Sequence, residues 1–306
     1  MLTWMRSKGN LSQVGVEGTG AYGAGLARYL HDQAVEVLEV PRPDRRIRRQ
    51  RGKSDPIDAE AAARTVLASK ASGAPKLADG PIEAIRMLRV ARLGAVKAKT
   101  AAINTLRAML ITAPDSLRAQ LQDLSPTQLV TACARLRPDL AHLADPIQAT
   151  KAALRSVAIR AQHLELETRT LRQQLDDLTQ KIAPVTSAVF GLGPDTASAL
   201  LVAIGDNPDR LRSEAAFAHL CGVAPIPASS GKTNRHRLHR GGDRTGNSAL
   251  HIATVVRLRY DPRSRAYADR RTAEGLSMPE IIRCQKRYLA REVFRALSTD
   301  FTKLST

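Results

Sequence analysis

The apolar residues between Lys151 and Ile182 repeat in steps of three and four, and this spacing constrains the fold more than any other feature of the sequence. It predicts one long helix whose apolar seam must be covered by another helix. The repeating positions are Leu154, Val157, Ala161, Leu164, Thr168, Leu171, Leu175, Leu178 and Ile182. The partner is either a second long helix, predicted over Ile82 to Ile111, or the same helix of another subunit. The seam therefore predicts a helical coiled-coil segment, and it leaves packing within one chain and homo-oligomerisation as a dimer or tetramer both open.

Composition and charge narrow the class of protein. Hydrophobic residues make up 43% of the 306 residues but aromatic ones only 3%, which favours a core of Leu, Val, Ile and Ala in a largely helical protein. The formal net charge of +18 and the pI near 10.6 indicate a polyanionic partner, most simply nucleic acid. No apolar run reaches the roughly 18 residues that span a bilayer, and no segment has the pattern of a signal peptide. We therefore expect a cytoplasmic protein with no membrane partner.

A short β-α-β unit is predicted near the N-terminus. Two runs of β-branched residues, around Val14 to Val16 and Val35 to Val40, flank a helical segment from Tyr22 to Gln33. Glu17 directly follows the first run and precedes a glycine-rich turn, a position that fits the strand-end carboxylate of a nuclease. The predicted fold class is α/β at the N-terminus, followed by mostly α-helical segments.

The same glycine-rich turn admits a second interpretation. Gly18, Gly20 and Gly23 satisfy the Gly-x-Gly-x-x-Gly pattern of dinucleotide-binding folds, and Glu39 ends the next strand, near where a ribose-binding acid is expected. Against this interpretation, the acid before the first glycine would face the pyrophosphate and Tyr22 would crowd the turn. Only one β-α-β unit precedes an arginine-rich segment. A dinucleotide enzyme stays open as an alternative.

Two acids occur at the start of the next predicted helix. Asp55 and Asp58, in GKSDPIDAE, are three residues apart, so both carboxylates can lie on one side of the first turn and hold Mg²⁺ opposite Glu17. The spacing is also typical of helix ends, where Asp55 before Pro56 would be an N-cap and Asp58 would complement the helix dipole. Spacing alone leaves both interpretations open.

Basic residues cluster in two segments that we expect to contact nucleic acid. The first segment lies between Arg42 and Lys53 and is predicted to be an exposed loop. The second follows a pair of serines in GVAPIPASSGKTNRHRLHRGGDR, from Gly222 to Arg244. The predicted contact residues are Arg45, Arg46, Arg48, Arg49, Arg51, Lys232, Arg235, Arg237, Arg240 and Arg244.

The serine pair, Ser229 and Ser230, has two interpretations. The letters SSGKT are similar to the end of a P-loop, but Ile226 stands where the first glycine should be, which argues against a nucleotide triphosphatase. The pair then makes a simple phosphate contact, or it provides a nucleophile that attacks phosphorus among arginines. His236 and His239 are expected to face phosphate in preference to binding zinc.

The motifs VGVEGTGAYG, GKSDPIDA, VFGLGPDTASALL, GVAPIPASSGKT and RGGDRTGNSALH occur in this order along the chain. Their joint order resembles the DEDD transposases of bacterial insertion sequences, the family numbered one hundred and ten. The resemblance implies a RuvC-like nuclease domain over residues 1–74, a helical coiled-coil segment over 75–183, and a C-terminal transposase domain over 184–306. The Gly-Leu-Gly turn at Gly191 to Gly193 predicts a helix-hairpin-helix at the start of that last domain, although an ordinary helix-helix connection has the same pattern. The resemblance also implies DNA as substrate, a structured guide RNA as partner and Mg²⁺ as cofactor.

The resemblance assigns roles to individual residues. Glu17, Asp55 and Asp58 match the second, third and fourth acids of the family's metal site, and Ser230 matches the serine that forms a transient phosphoseryl link with DNA. The family's first acid lies in a Gly-x-Asp strand upstream of the glutamate, whereas none of the sixteen residues before Glu17 is acidic. We therefore expect a truncated RNase H/RuvC-like domain, or a start of translation further upstream. A catalytically inactive remnant that only binds nucleic acid is the alternative.

Overall fold

The computed structural model describes residues 1–41, 54–69, 71, 73–76, 78–206, 212–229, 231 and 236–304. The chain divides into two compact units, one made of Met1–Ile85 with Thr179–Thr306 and the other of Arg86–Leu178. Helices predominate, and within the described residues the strands form one parallel pair and one antiparallel pair. This confirms a mostly helical protein with a small parallel sheet near its start. The assignment of that sheet to an RNase H fold and the division into three domains stay predictions.

The N-terminal part of the first unit is the β-α-β arrangement that the sequence predicts. Its elements are α1 (Leu2–Arg6), β1 (Gln13–Glu17), α2 (Ala24–Asp32), β2 (Glu36–Val40) and α3 (Asp55–Leu67). The strands are parallel, in a register that runs from Gln13 opposite Glu36 to Glu17 opposite Val40. Alternation along β1 turns Val14 and Val16 towards one face. There they share an apolar core with α1, α2 and β2, whose buried members are Leu2, Val16, Ala27, Leu30, Val35 and Val37.

The second unit is entirely helical in its described residues. The elements along this stretch are α4 (Pro81–Ile111), α5 (Asp115–Leu121), α6 (Pro126–Ala134), a 3-10 turn (Leu140–His142) and α7 (Pro146–Ile182). Both long helices predicted from periodicity are therefore confirmed.

The first half of the α7 seam is covered within the chain. Leu154 and Ala161 belong to one buried cluster with Ala102 and Leu106 of α4, which α5 and α6 complete. The partner of this part of the seam is thus the earlier long helix of the same chain. A coiled coil between subunits, and with it a homo-oligomer, stays a prediction.

The C-terminal part of the first unit is a helical assembly with one short hairpin. Its elements are α8 (Pro184–Ser187), α9 (Pro194–Ile204), α10 (Glu214–Leu220), β3 (Ile226–Pro227), β4 (His236–Arg237), α11 (Arg244–Tyr260), α12 (Pro262–Ala273) and α13 (Met278–Leu304). Helix α13 packs against α8, α10, α11 and α12, so it is the central support of this region. None of the helices described here is both long and apolar enough to cross a membrane.

The turn before α9 is where the sequence predicts a helix-hairpin-helix. Gly191 adopts a φ of +89°, which a glycine tolerates. A Cβ added to Gly191 would lie 2.8 Å from the Ala253 carbonyl oxygen, so the turn packs closely on α11. The helix before it, α8, has only four residues. A DNA-binding helix-hairpin-helix at this turn therefore stays a prediction.

Candidate catalytic site

Glu17 lies at the carboxyl end of β1, on the opposite face from the apolar core. Strand alternation places Gly15 and Glu17 together on this face, because Val14 and Val16 point into the core. The side chain of Glu17 is half-buried, and its Oε1 atom is buried without a hydrogen-bond partner among the described residues. A buried carboxylate oxygen normally has a hydrogen-bond donor or a cation as partner, so this atom suits a ligand to a cation.

Helix α3 packs directly on the strand face that carries Glu17. A Cβ placed on Gly15 would lie 2.8 Å from Val66 Cγ2 and 3.1 Å from the Ala62 carbonyl oxygen, so only glycine allows this approach. Asp58 and Asp55 precede Ala62 by four and seven residues, which places both on the helix face that meets the strand. The glycine contact therefore turns the acidic start of α3 towards the side of the sheet that carries Glu17.

The structure does not gather the three acids into a finished metal site. Asp55 is exposed and Asp58 is half-buried, and no group of three or more His, Cys, Asp or Glu side chains within the described ranges could hold a metal ion. The capping alternative is corrected in one respect, because Ser54 and not Asp55 is the N-cap residue. The Ser54 side chain makes no capping hydrogen bond, and both acids lie in the first turn beside Pro56. Of the three acids, Glu17 is the one with a buried oxygen that has no hydrogen-bond partner among the described residues, and this makes it a suitable metal ligand.

The glycine-rich turn after β1 is shaped by backbone contacts. Gly18 has a φ of +63°, and a Cβ on Gly23 would collide with the Glu17 carbonyl oxygen. Thr19 is buried, and its hydroxyl donates to Glu39 Oε1 at 2.8 Å. Glu39, which would bind a ribose in the dinucleotide interpretation, therefore already accepts a hydrogen bond from the turn. Tyr22 is fully exposed, so the expectation that it crowds the turn is wrong.

The segment with the serine pair leaves and re-enters the fold at one point. A Cβ on Gly242 would collide with the Gly222 nitrogen, so two glycine backbones are in contact at the base of the segment. The side-chain amide of Asn247 donates to the carbonyl oxygens of Cys221 and Gly222, at 2.8 and 3.1 Å, and holds the same base. Above it, β3 and β4 pair through Ile226 with Arg237 and Pro227 with His236. In chain order, the serine pair follows β3 and precedes β4, in a segment whose base is fixed.

Several predicted residues fall where the structure gives no description. Ser230 and the predicted contact residues Arg45, Arg46, Arg48, Arg49, Arg51, Lys232 and Arg235 lie outside the described residues. Their roles stay predictions. Ser229, the neighbour of Ser230, is described and exposed.

The remaining predicted contact residues share an electrostatic property. Arg237, Arg240 and Arg244 are exposed, and no carboxylate of the described chain lies within ion-pair distance of any of them. Many other arginines are paired, as Arg257 is with Glu292 at 2.7 Å. Three unpaired guanidinium groups on one short stretch are free to contact phosphates.

Sequence reasoning missed the buried cation beneath this hairpin. Lys286 on α13 is only 6% exposed, and its Nζ donates to Asn247 Oδ1 at 2.7 Å. Burial lowers the pKa of this ammonium group. The signal was present in the sequence, because Lys286 falls at helical spacing with the buried residues Leu289 and Val293.

The cysteines are all free thiols, as the sequence predicts. Burial raises the pKa of Cys221 to about 12 and that of Cys133 to about 11. Both therefore stay protonated at neutral pH and serve as packing groups.

The N-terminal and C-terminal parts of the chain each match a family model of transposases. Residues 1–113 match the family model of the DEDD transposases of the IS110 type, and residues 185–269 match the model described as transposase IS116/IS110/IS902 family. The chain is 35% identical over 113 residues to an insertion element IS110 protein of 43.6 kDa from Streptomyces coelicolor, a match that covers 36% of this chain and 27% of the relative. It is 31% identical over 94 residues to an insertion element IS900 protein of 42 kDa from Mycobacterium paratuberculosis, with 30% and 24% covered.

These matches span about a quarter of the length of each curated relative. The two family models, however, cover separate ranges that together exceed half of this chain, and they name the same kind of element. The chain belongs to the IS110 family of insertion-element transposases.

Proposed function

We propose that this protein cuts and joins DNA strands of an insertion element, with an acidic site at the end of β1 and Ser230 as nucleophile. The observation that carries the proposal is the packing of α3 on Gly15, which directs the helix face of Asp55 and Asp58 towards the strand face of Glu17. The unpartnered Glu17 oxygen supports it, because such an atom favours a cation.

Glu17, Asp55 and Asp58 are the residues that would hold a divalent cation, for which Mg²⁺ is the natural choice given three carboxylate ligands. When bound, the ion would stabilise negative charge on the oxygens of a phosphodiester. The three acids do not form a metal-holding group among the described residues, so a rearrangement of α3 relative to β1 is part of this proposal.

Ser230 carries the covalent step in this proposal. Its Oγ attacks phosphorus, a new O–P bond forms, and the bond from phosphorus to one sugar oxygen breaks. The serine loses its proton, and the departing sugar oxygen gains one. Reversal of the step by a different strand end would restore the serine and join the new strands. Arg237, Arg240 and Arg244, which lack carboxylate partners among the described residues, would neutralise charge on the phosphate.

The partners in the proposal rest on the family, on charge and on an apolar seam. A formal charge of +18 suits DNA, and the family resemblance adds a structured guide RNA. The homo-oligomer, either a dimer or a tetramer, rests on the apolar seam over Lys151 to Ile182. The described residues test neither the RNA nor the oligomer.

The experiment compares Ser230→Ala with Ser229→Ala. Each purified protein is incubated with element DNA, its guide RNA and Mg²⁺, and covalent protein–DNA adducts are counted on a denaturing gel. We expect Ser230→Ala to lose the adduct and strand exchange by at least about a hundredfold while its affinity for DNA stays within about twofold, since a lost nucleophile removes the covalent step and not the phosphate contacts. An adduct that persists in Ser230→Ala and vanishes in Ser229→Ala would move the nucleophile by one position.

A second function is favoured by one observation. Because no metal-holding group of three acids is formed among the described residues, the chain could bind nucleic acid without catalysis. The same assay separates the two functions, since an inert binder gives no adduct with the unaltered protein at any Mg²⁺ concentration while it still retards element DNA.

A further inference from the structure

A cavity of about 470 Å³ lies beneath the β3–β4 hairpin, and its lining is strongly basic. Its walls come from the segment after α10, from β4 and the residues that follow it, and from α12 and α13. The cationic side chains that line it are Arg237, Arg271, Arg283, Lys286 and Arg287. His236 and His239 add two imidazoles, and Glu280 is the carboxylate among the lining residues.

Lys286 is the most unusual of these cations, because it is buried without an acid. Its Nζ contacts the neutral Asn247 side chain, and no carboxylate of the described chain lies within ion-pair distance. The amide group of Asn247 donates to two backbone carbonyls at the base of the hairpin, so its Oδ1 is held in place to receive the ammonium group. A buried charge is normally paired, which indicates that an anion completes this site.

The cations around Lys286 are held in orientation but keep spare donors. Arg287 pairs with Glu214 at 2.6 Å and Arg283 with Glu280 at 3.8 Å. Arg271 pairs with Glu274 through Nη1, whereas its buried Nε has no hydrogen-bond partner among the described residues. The Nδ1 atom of His239 is also buried without a described partner. An oxyanion with several acceptor oxygens would satisfy these groups together with Lys286.

We infer that this cavity binds a backbone phosphate of a nucleic-acid strand, together with part of its nucleotide. The volume exceeds that of a phosphate alone and falls within the range of small-molecule pockets. Pro225 and the half-exposed ring of Tyr288 provide apolar surface for the sugar or base. The inference deepens the proposed function and rests on it for the choice of a nucleic-acid ligand, because β4 forms a wall of the cavity and is also the strand that follows the serine pair along the chain.

The first test uses inorganic phosphate as the probe. The melting temperature of the full chain is measured in sodium phosphate and in sodium chloride at equal ionic strength. We expect phosphate to raise it by roughly 2–4 °C, since an anion that binds the folded state alone stabilises that state. Lys286→Met and Arg283→Gln should each abolish most of this rise. Arg295→Gln is the matched control, because Arg295 is an exposed cation on the same helix outside the cavity.

The second test uses a duplex DNA oligonucleotide and fluorescence anisotropy. Lys286→Met and Arg283→Gln should weaken binding about tenfold and reduce the slope of log K against log salt by about one, the value expected when one phosphate is no longer neutralised. Arg283→Gln keeps the test valid if Lys286→Met fails to fold. The Arg283 side chain is 42% exposed, so its replacement leaves no buried cavity.

The outcomes are distinct. A phosphate-induced rise that is equal in the unaltered protein and both variants would overturn the site, as would the absence of any rise in the unaltered protein. A rise that the variants lose while DNA affinity stays unchanged would show that the cavity takes a free anion, and would overturn the strand inference. The Ser230→Ala protein should keep both the phosphate response and DNA binding, so failure of the proposed chemistry would leave this inference testable.

Discussion

At the scale of single residues, Gly15 controls how closely α3 approaches β1. The position lies two residues before Glu17 on the same strand face, and both Val40 and Val66 methyl groups would be 2.8 Å from a Cβ there. A side chain cannot be added without moving the strand or the helix. Since Asp55 and Asp58 lie on that helix face, the glycine bears on the proposed acidic site as well as on packing.

Gly15→Ala is therefore predicted to cost stability and strand exchange together. The added methyl group should lower the free energy of unfolding by about 1–3 kcal/mol, measured by urea denaturation with circular dichroism. Strand exchange should fall because α3 moves away from Glu17. The control is Gly25→Ala in α2, where no atom lies within 4 Å of the new Cβ and alanine is the better helix former. Equal stability and activity of both variants would contradict the packing argument.

At the scale of elements, α4 and α7 are joined by an ion pair as well as by apolar contacts. Lys99 Nζ lies 2.6 Å from Glu165 Oε2, and Arg169 donates to the other oxygen at 2.8 Å. The hydrogen bond from Lys99, and then that from Arg169, lower the pKa of Glu165 below its usual value of 4.5. The pair therefore adds stability above pH 4.5, and this contribution is lost as the pH falls through the lowered folded-state pKa.

Glu165→Gln should reduce the free energy of unfolding by about 0.5–1 kcal/mol at pH 7, because the pair is partly exposed and screened by solvent. The difference in the free energy of unfolding between this variant and the unaltered protein should shrink towards zero as the pH falls below the folded-state pKa of Glu165. There the protonated Glu165 is as neutral as the glutamine that replaces it. Glu167→Gln on the same helix is the matched control, since Glu167 is exposed and no cation of the described chain is paired with it. A difference that does not change with pH would show that the charge pair is not its cause.

An element could be predicted from the sequence when the pattern that encodes it lies within the element itself. The helices over 81–111 and 146–182 and the β-α-β unit are encoded by periodicity within each segment, so all were found. The partner of the α7 seam was left open because periodicity shows that a face is apolar and not what covers it. Gly15 was missed for the same reason, since its importance arises from a contact with Val66, remote in sequence. The helical spacing of Lys286 with Leu289 and Val293 indicated its burial, but its contact with Asn247 could not be read from that spacing. The expectation for Tyr22 failed because exposure of a turn residue depends on the direction of its side chain.

At the scale of the whole molecule, which has a formal net charge of +18, some arginines in the described parts of the chain form ion pairs with acids and others do not. Many arginines lie beside a carboxylate, among them Arg64 with Glu60 and Arg118 with Asp115. Arg237, Arg240 and Arg244 have no such partner within the described residues. Paired and unpaired arginines contribute equally to the formal charge, but only the unpaired ones can replace the counterions of a phosphate without first breaking an ion pair.

This difference gives a prediction that separates local contact from overall charge. Replacing Arg237, Arg240 and Arg244 together by Gln should reduce the slope of log K against log salt for duplex DNA by about 0.9 for each phosphate that is no longer neutralised. The control replaces Arg64, Arg118 and Arg270 by Gln, which removes the same formal charge from arginines that are paired with Glu60, Asp115 and Glu274. Both proteins are titrated with the same duplex from about 50 to 200 mM salt, the range over which phosphate contacts dominate the change in affinity. If the two triple variants lose slope and affinity equally, net charge alone governs binding and the hairpin arginines have no special place on the DNA. If only the first variant does, the stretch from β4 to the start of α11 is part of the DNA-binding surface.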